Sequence, residues 1–178
     1  MLCPSGRYSL GGSSATTQCA PCPPGTFGIS AGMTLSSCSG PCAPGYACAA
    51  GSTSPTASPC SPGRFSVGFA GTCTSCPAGT YGDVQALSSA ACSGVCAAGF
   101  YCLPGSASPT AAVCGPGLYS LAGAAACSPC APGRYSGEYA LASPCTMGCP
   151  VGTYCAGGGW LAVYVAYIGV VGWVIDAA

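Results

Sequence analysis

Residues 60–102 read CSPGRFSVGFAGTCTSCPAGTYGDVQALSSAACSGVCAAGFYC, and their six cysteines are separated by 12, 2, 15, 3 and 5 residues. The same order of spacings precedes and follows this segment, with a first loop of 15 residues in the first copy and a third loop of 14 in the last. After the first cysteine, equivalent positions lie 54 or 53 residues apart. Such a period indicates a tandem array in which each unit packs on its neighbours.

Three repeats cover residues 3–59, 60–113 and 114–155, and a hydrophobic segment, residues 156–178, follows them. Cysteine at about one residue in ten is typical of a small disulfide-rich protein. The repeats use every cysteine, so we predict that all of them form disulfides. The 18 cysteines are Cys3, Cys19, Cys22, Cys38, Cys42, Cys48, Cys60, Cys73, Cys76, Cys92, Cys96, Cys102, Cys114, Cys127, Cys130, Cys145, Cys149 and Cys155.

A shorter motif, CxxG followed closely by an aromatic residue, begins at the first, third and fifth cysteine of each repeat. Cys22-Pro-Pro-Gly-Thr-Phe27 and Cys76-Pro-Ala-Gly-Thr-Tyr81 are two examples. Proline presets φ and glycine supplies a positive φ, so the motif predicts a tight turn that the aromatic residue leaves at a fixed angle. We expect the aromatic ring to cover the neighbouring disulfide.

The recurring motif also predicts that each short module closes on the next cysteine. The pairs in the second repeat would be Cys60–Cys73, Cys76–Cys92 and Cys96–Cys102. A second scheme stays open, in which the first pair is kept, the third cysteine pairs with the fifth and the fourth with the sixth. Each such loop closure contributes about 3 kcal/mol in the chain-entropy description, so several bridges per repeat can replace a hydrophobic core.

The composition favours this view, because leucine, isoleucine, valine and phenylalanine make up only 26 of the 178 residues. So few large apolar side chains do not offset the entropy of ordering a chain. Helical periodicity is absent beyond a turn or two, so we predict a small disulfide-rich fold. This fold is an elongated tandem array of three six-cysteine repeats with short β-ribbons and loops. Residues 49–59 and 103–113 are expected to be flexible joints.

Three segments carry a resemblance to a known family: Cys60-Ser-Pro-Gly-Arg-Phe-Ser, Cys73-Thr-Ser-Cys-Pro-Ala-Gly-Thr-Tyr-Gly and Gly99-Phe-Tyr-Cys-Leu-Pro-Gly-Ser-Ala-Ser-Pro-Thr. They resemble ephrin-receptor-like cysteine-rich repeats, which are distantly similar to the modules of tumour necrosis factor receptors. The resemblance covers residues 3–155 and implies an extracellular, disulfide-stapled rod without a common activity. The absence of Lys, Asn and His beside abundant Ala, Gly and Pro favours an alga or another protist as the source.

The charged residues argue against several function classes. Three arginines and three acids cancel, and lysine and histidine are absent, so a nucleic-acid partner is not expected. Asp83, Glu138 and Asp176 occur singly, whereas acid–base catalysis needs titratable groups close together. We therefore predict no enzyme, no cofactor and no small-molecule substrate. Three isolated acids also do not make a calcium site.

The spacing of the cysteines allows two other interpretations. Cys19 and Cys22, with their counterparts in the other repeats, form CxxC pairs like those of redox centres. Together with Cys38 and Cys42 they approach the spacing of a four-cysteine zinc site. Zinc would leave two cysteines of each repeat unexplained, so we predict no metal and keep an intracellular zinc protein as the less favoured alternative.

The C-terminal segment differs in kind, because residues 156–175 contain no charge and have Trp160 and Trp173 near the two ends. Twenty helical residues span about 30 Å, the thickness of a bilayer core, so we expect a transmembrane helix. A buried strand or truncated element and a lipid-anchor signal are the alternatives. Met1 and Leu2 lead directly into the first cysteine without a secretory signal, so we expect further repeats upstream in a longer chain.

Two further sets of residues are candidates for contacts or modification. Arg7, Arg64 and Arg134 each lie between the turn glycine and an aromatic residue, where a solvated turn residue is expected and a ligand contact is the alternative. Asparagine is absent, so no N-glycan sequon exists. The candidate O-glycan sites are Ser52, Thr53, Ser54, Thr56, Ser106, Ser108 and Thr110.

These observations predict a non-enzymatic, extracellular structural or adhesive stalk that is tethered to a membrane at a cell or ciliary surface. Its partners would be other surface or matrix proteins, or copies of itself. A receptor ectodomain that binds a protein ligand is the second hypothesis. Only three residues follow Ile175, which are too few to signal alone.

Overall fold

The computed structural model describes residues 2–10, 19–151, 153–155, 157 and 162–164. This part of the chain contains no helix, and its backbone forms nine two-stranded antiparallel sheets joined by turns and loops. The protein is therefore a small disulfide-rich chain of hairpins. The strands are β1 (Arg7–Tyr8), β2 (Ala20–Pro21), β3 (Thr26–Phe27), β4 (Gly40–Pro41), β5 (Tyr46–Ala47), β6 (Ser58–Pro59), β7 (Arg64–Phe65), β8 (Thr74–Ser75), β9 (Thr80–Tyr81), β10 (Gly94–Val95), β11 (Phe100–Tyr101), β12 (Ala112–Val113), β13 (Leu118–Tyr119), β14 (Ser128–Pro129), β15 (Arg134–Tyr135), β16 (Met147–Gly148), β17 (Thr153–Cys155) and β18 (Ala162–Tyr164).

The hairpins share one plan, and we number them units 1 to 9 along the chain. The first strand of a unit follows the CxxG turn, and in units 1 to 8 the second strand ends directly before the first cysteine of the next unit. In unit 4 the amide of Arg64 donates to the carbonyl of Ser61 at 3.0 Å and closes the turn. Gly63, the turn glycine, has a φ of 80°, and the turn glycines of units 1 to 8 all lie between 74° and 86°. The predicted tight turn is present, and it requires glycine because L-residues rarely adopt this φ.

In units 2 and 5 the aromatic residue two positions after the turn glycine packs across its hairpin. Phe27 pairs with Gly40, and its Cε1 lies 4.0 Å from where a Cβ on that glycine would be. A small residue opposite leaves room for the ring to lie against the other strand. Phe27 is 9 % exposed and clusters with Cys42 and Cys48, so in this unit the ring does cover the next disulfide.

Neighbouring units are joined by four recurring backbone hydrogen bonds. The turn glycine donates to the carbonyl of a buried residue in the next unit, and its own carbonyl accepts from the first cysteine of that unit. The carbonyl of the first cysteine accepts from a residue in the loop of the next unit, and this residue has a positive φ in all seven junctions. The buried residue of the first unit, which is the third after its own turn glycine, donates its amide to the carbonyl of the residue that follows this loop residue. At the junction of units 4 and 5 the bonds are Gly63→Gly82, Cys76→Gly63, Ala86→Cys60 and Ser66→Leu87, at 2.7–3.0 Å.

This pattern is continuous along the array. All seven junctions from unit 1 to unit 8 contain the four bonds, at 2.7–3.1 Å, and the junction of units 8 and 9 contains the two bonds of the turn glycine at 3.2 Å. Each junction therefore satisfies the same backbone groups, which loops outside a regular sheet would otherwise leave to water. The units form a repetitive array in which the hydrogen bonds join neighbours along the chain.

Disulfides and small residues form the core. The buried third position after the turn glycine is always serine, glycine or cysteine. Apart from cysteine, the buried hydrophobic residues in the described part of the chain are Phe27 and Ala47. The core is therefore too thin to hold large aliphatic side chains, and the cross-links take over the stabilising role.

Units that are two apart also touch. A Cβ on Gly63 in unit 4 would collide with the carbonyl oxygen of Gly105 in unit 6 and would lie 2.9 Å from its carbonyl carbon. The turn glycines of units 1, 2, 3, 5 and 6 meet the carbonyl of the equivalent residue two units on in the same way. Only glycine therefore permits this approach, and the motif glycine serves both the turn and the stacking.

The segments 49–59 and 103–113 are not the flexible joints that the sequence indicated. The carbonyl of Ser52 accepts from the amide of Gly28 at 2.9 Å. The carbonyl of Ser106 accepts the equivalent bond from the amide of Gly82, also at 2.9 Å. These segments supply the loop residue and the carbonyl that the preceding unit requires at its junction. Their Gly, Ser and Pro content reflects the turns that they make, so the prediction of joints was wrong.

Of the C-terminal segment, the structure describes Gly157 and strand β18. This strand pairs with β17 in antiparallel register, with Tyr154 opposite Val163. In the described ranges, no helix has the length and apolar character needed to cross a membrane. The remainder of the predicted span, residues 156–175, lies outside the described residues. The division into three repeats also stays a prediction.

Candidate functional site: disulfides and exposed loops

The cysteines are bonded in consecutive pairs, the first with the second and the third with the fourth, and no cysteine in the described residues is free. The Cα–Cα distances are 5.4–6.1 Å, within the usual range for disulfides. This is the sequential scheme, and the interlaced alternative is not the arrangement found. The pairs are Cys3–Cys19, Cys22–Cys38, Cys42–Cys48, Cys60–Cys73, Cys76–Cys92, Cys96–Cys102, Cys114–Cys127, Cys130–Cys145 and Cys149–Cys155.

The CxxC pairs belong to different disulfides. Cys19 is bonded to Cys3 and Cys22 to Cys38, so this CxxC connects the end of one unit with the start of the next. The four-cysteine set that resembled a zinc site is completed by Cys42, and it is divided among three disulfides. Zinc binds thiolates, which these sulfur atoms are not in this state. Among the residues that the structure describes, no group of three or more His, Cys, Asp or Glu is placed to hold a metal ion.

The acidic side chains are not brought together. Asp83 and Glu138 are both exposed and belong to loops of units 5 and 8. Their amides donate to serine hydroxyls of their own loops, at 3.1 Å and 3.2 Å. These two acids are therefore loop residues, and Asp176 lies outside the described residues.

The arginines span their own hairpins. Nη1 of Arg64 donates to the carbonyl of Cys73 at 3.0 Å, and Nη1 of Arg7 donates to the carbonyl of Cys19 at 2.9 Å. Arg134 makes the corresponding bond to the carbonyl of Thr146. In units 1 and 4 the acceptor is the second cysteine of the disulfide. The arginines thus satisfy a carbonyl at the far side of the loop, which is a structural role that the sequence did not reveal.

The candidate O-glycan residues lie in two matching loops. The first serine of each loop donates its hydroxyl to a backbone carbonyl, and the second lies within hydrogen-bond distance of a threonine. These contacts are Ser52→Ala49 at 2.7 Å, Ser106→Leu103 at 2.8 Å, and Ser54–Thr56 and Ser108–Thr110 at 3.2 Å. The exposed candidates are Thr53, Thr56 and Thr110. These three threonines are the most accessible hydroxyls of the set.

Sequence reasoning missed a set of exposed apolar side chains on the loops. The fourth residue after the turn glycine is aliphatic in five units, and at least 58 % of each of these residues is exposed. They are Leu10, Ile29, Val67, Leu103 and Leu121. The residue before each of them is buried in a junction, so the next side chain points outward. Aligning the units on the turn glycine would have revealed this pattern.

The loop of unit 4 also carries an exposed aromatic ring. Phe69 has a φ of 55° and is 64 % exposed, in a position where units 2, 3 and 5 to 8 have glycine or alanine. Its amide donates to the carbonyl of Cys42 at 3.1 Å, and the amide of Gly68 donates to the hydroxyl of Ser66 at 3.1 Å. A bulky residue held in this conformation is uncommon and marks a candidate functional position.

No protein-family model matches this chain, and a search of curated proteins finds no match to it. The resemblance to ephrin-receptor-like repeats thus rests on the cysteine spacing and turn motifs of the sequence. The density of disulfides indicates an extracellular or secreted protein, because such cross-links persist in oxidising compartments.

Proposed function

We propose that this chain is a non-enzymatic structural or adhesive stalk, built from ephrin-receptor-like repeats and displayed at a cell or ciliary surface. One observation carries the proposal. The four-bond junction recurs without a break from unit 1 to unit 8, and every unit holds its own disulfide. An array of this kind gains length with each added unit rather than enclosing a site.

Two layers of contact would make the stalk stiff. The backbone bonds join each unit to its neighbour, and the turn glycines reach the unit after that. A bend at one junction must therefore disturb the backbone of three successive units. The disulfide within each unit keeps its hairpin and loop from opening independently, which removes a second source of flexibility.

The surface supports protein partners. Exposed aliphatic side chains at Leu10, Val67 and Leu103 offer apolar contacts, and a net charge of zero brings little repulsion between copies. Partners would be other surface or matrix proteins, or further copies of the chain. Attachment to a membrane through residues 156–175 is part of the proposal and rests on the uncharged sequence of that segment.

Small-angle X-ray scattering of the oxidised protein tests the stalk. A compact chain of this length would have a radius of gyration of about 16 Å, and an unfolded chain about 45 Å. A stiff array predicts an intermediate value together with the scattering profile of a rod of constant cross-section. A radius near the compact value, or a profile of independently moving pieces, would contradict the proposal.

A receptor ectodomain is the second candidate, and Phe69 is the observation that favours it. A rigid loop that presents an aromatic ring beside Val67 has the character of a binding hot spot. The receptor hypothesis predicts that Phe69→Gly abolishes capture of a protein ligand on cells, whereas the stalk hypothesis predicts unchanged assembly. Ala86→Gly is the matched control, because Ala86 has the same left-handed backbone conformation as Phe69.

A further inference from the structure

We propose that the disulfides Cys22–Cys38 and Cys76–Cys92 are thiol-cleavable locks on two hinges of the array. Their reduction would loosen the junction of units 1 and 2 and the junction of units 4 and 5, while the other disulfides hold. The biological use of such hinges rests on the proposed stalk function. The hinges themselves are a property of the chain and can be tested without it.

The backbone at one end of each lock is strained. All cysteines lie in the described part of the chain, and Cys38 and Cys92 are the two that have a positive φ, at 51° and 53°. An L-residue in this conformation costs about 1–2 kcal/mol. Opening the disulfide lets the cysteine leave that conformation, so the strain favours reduction. Strained or exposed disulfides are those with the more oxidising potentials.

The closed disulfide and two local hydrogen bonds together hold each of these cysteines in the left-handed conformation. The amide of Cys38 donates to the carbonyl of Leu35 at 3.0 Å, and the amide of Ser39 donates to the carbonyl of Phe27 at 2.8 Å. The chain therefore changes from a turn at Cys38 to pairing with strand β3 at Ser39, and the left-handed cysteine makes this change of direction. The amides of Cys92 and Ser93 make the same two bonds in unit 5, at 3.0 Å and 2.9 Å.

Access to the two ends of each lock is unequal. Cys38 and Cys92 are half-buried, whereas their partners Cys22 and Cys76 are fully buried. A thiolate of an external dithiol would attack the accessible sulfur of Cys38, form a mixed disulfide and release Cys22 as a thiolate that takes up a proton. The second thiol of the reagent then displaces Cys38. The reagent leaves as its own disulfide, and two electrons have passed to the protein.

The loop that each lock closes supplies half of a junction. Gly32, in the loop closed by Cys22–Cys38, donates its amide to the carbonyl of Cys3 at 2.7 Å. The carbonyl of the neighbouring Met33 accepts from the amide of Ser9 at 3.0 Å. Releasing the loop removes these two bonds and leaves the two that the turn glycine makes. The junction would then act as a hinge that is held on one side.

The chain contains its own controls. Cys130–Cys145 occupies the same place in unit 8, but Cys145 has no positive φ and is only 9 % exposed. Cys73 and Cys127 are half-buried like Cys38 and also lack a positive φ, so their disulfides separate the effect of exposure from that of strain.

The test is graded reduction of the full oxidised chain with dithiothreitol, followed by alkylation and peptide mapping. The two locks should open about 5- to 30-fold more readily than Cys60–Cys73 and Cys114–Cys127, the ratio that corresponds to the strain of one left-handed residue. Opening of those two disulfides at the same reagent concentration would show that exposure alone decides, and would overturn the proposal. Earlier opening of Cys130–Cys145 would overturn it as well.

Hydrogen exchange after the first reduction step tests the hinge separately. The amides of Ser9 and Ser66 should lose protection, because their acceptors lie in the released loops, whereas the equivalent amide of Ser120 should not. Equal protection before and after opening would refute the hinge even if the locks open first. Neither outcome depends on the stalk function, which the scattering of the oxidised protein tests independently.

Discussion

Replacing Gly63 by alanine tests the stacking of the array directly. This turn glycine has a φ of 80°, and an added Cβ would collide with the carbonyl of Gly105, two units on. Gly133 is the matched control, because its φ is 77° and a Cβ there would meet no atom of the described residues within 4 Å. Both variants therefore carry the same backbone strain, and only Gly63→Ala adds a collision.

The two costs can be separated. The left-handed conformation costs alanine about 1–2 kcal/mol at either position. At Gly63 the backbone must also move, which breaks its 2.7 Å bond to Gly82 and the 2.8 Å bond from Cys76, each worth about 1 kcal/mol net. We expect about 3–4 kcal/mol for Gly63→Ala and about 1–2 kcal/mol for Gly133→Ala.

Native-state hydrogen exchange measures both free-energy costs, because the first cysteine of the next unit donates its amide to the carbonyl of the turn glycine. Protection of the Cys76 amide should fall by two to three orders of magnitude in Gly63→Ala, on the scale of about 1.4 kcal/mol per factor of ten. Protection of the Cys149 amide should fall about 5- to 30-fold in Gly133→Ala. Equal losses in the two variants would refute the contact between units two apart.

Three further changes have defined outcomes. Ser120→Ala removes the 2.8 Å bond from a buried hydroxyl to the carbonyl of Phe100 and should lower the free energy of unfolding by about 1 kcal/mol in urea titration, while the exposed Ser128→Ala should leave it unchanged. Arg64→Ala removes an exposed bond to the carbonyl of Cys73, so a loss of more than about 1 kcal/mol in the same titration would contradict its role as a surface brace. Phe69→Gly relieves a left-handed phenylalanine, and thermal unfolding should show stability retained within about 1 kcal/mol; a large loss would mean that the ring packs in solution.

The sequence was informative where covalent and turn chemistry dominate. The CxxG motif implied a turn with a positive φ at glycine, and Gly63 shows it. Its recurrence at alternate cysteines also pointed to the sequential pairing that joins Cys60 to Cys73. These features depend on a few neighbouring residues, so the local sequence is sufficient to specify them.

Contacts between units were harder to foresee. The Gly, Ser and Pro content of residues 49–59 predicts a joint, yet backbone groups of this segment pair with the preceding unit. Backbone hydrogen bonds between units leave little trace in side-chain composition. The same reason hides the role of Gly63 against Gly105, which concerns space across two units rather than the turn itself.

The exposed residues of the candidate site were missed for a different reason. Leu10 and Val67 are large aliphatic residues, which suggest burial when they are considered alone. Their exposure follows from the buried residue before them, which the junction bonds hold inward. Only an alignment of all units on the turn glycine separates the two positions.

Intact mass after alkylation tests whether the chain is the fully oxidised array that an extracellular protein would be. Purified protein should take up no alkylating reagent before reduction and 18 equivalents after it, with no zinc bound, because all 18 cysteines are paired. Peptide mapping should recover nine consecutive pairs, beginning with Cys3–Cys19 and Cys22–Cys38. Free thiols accompanied by about one zinc ion per repeat, a four-thiolate site in each, would contradict the account and favour an intracellular zinc protein.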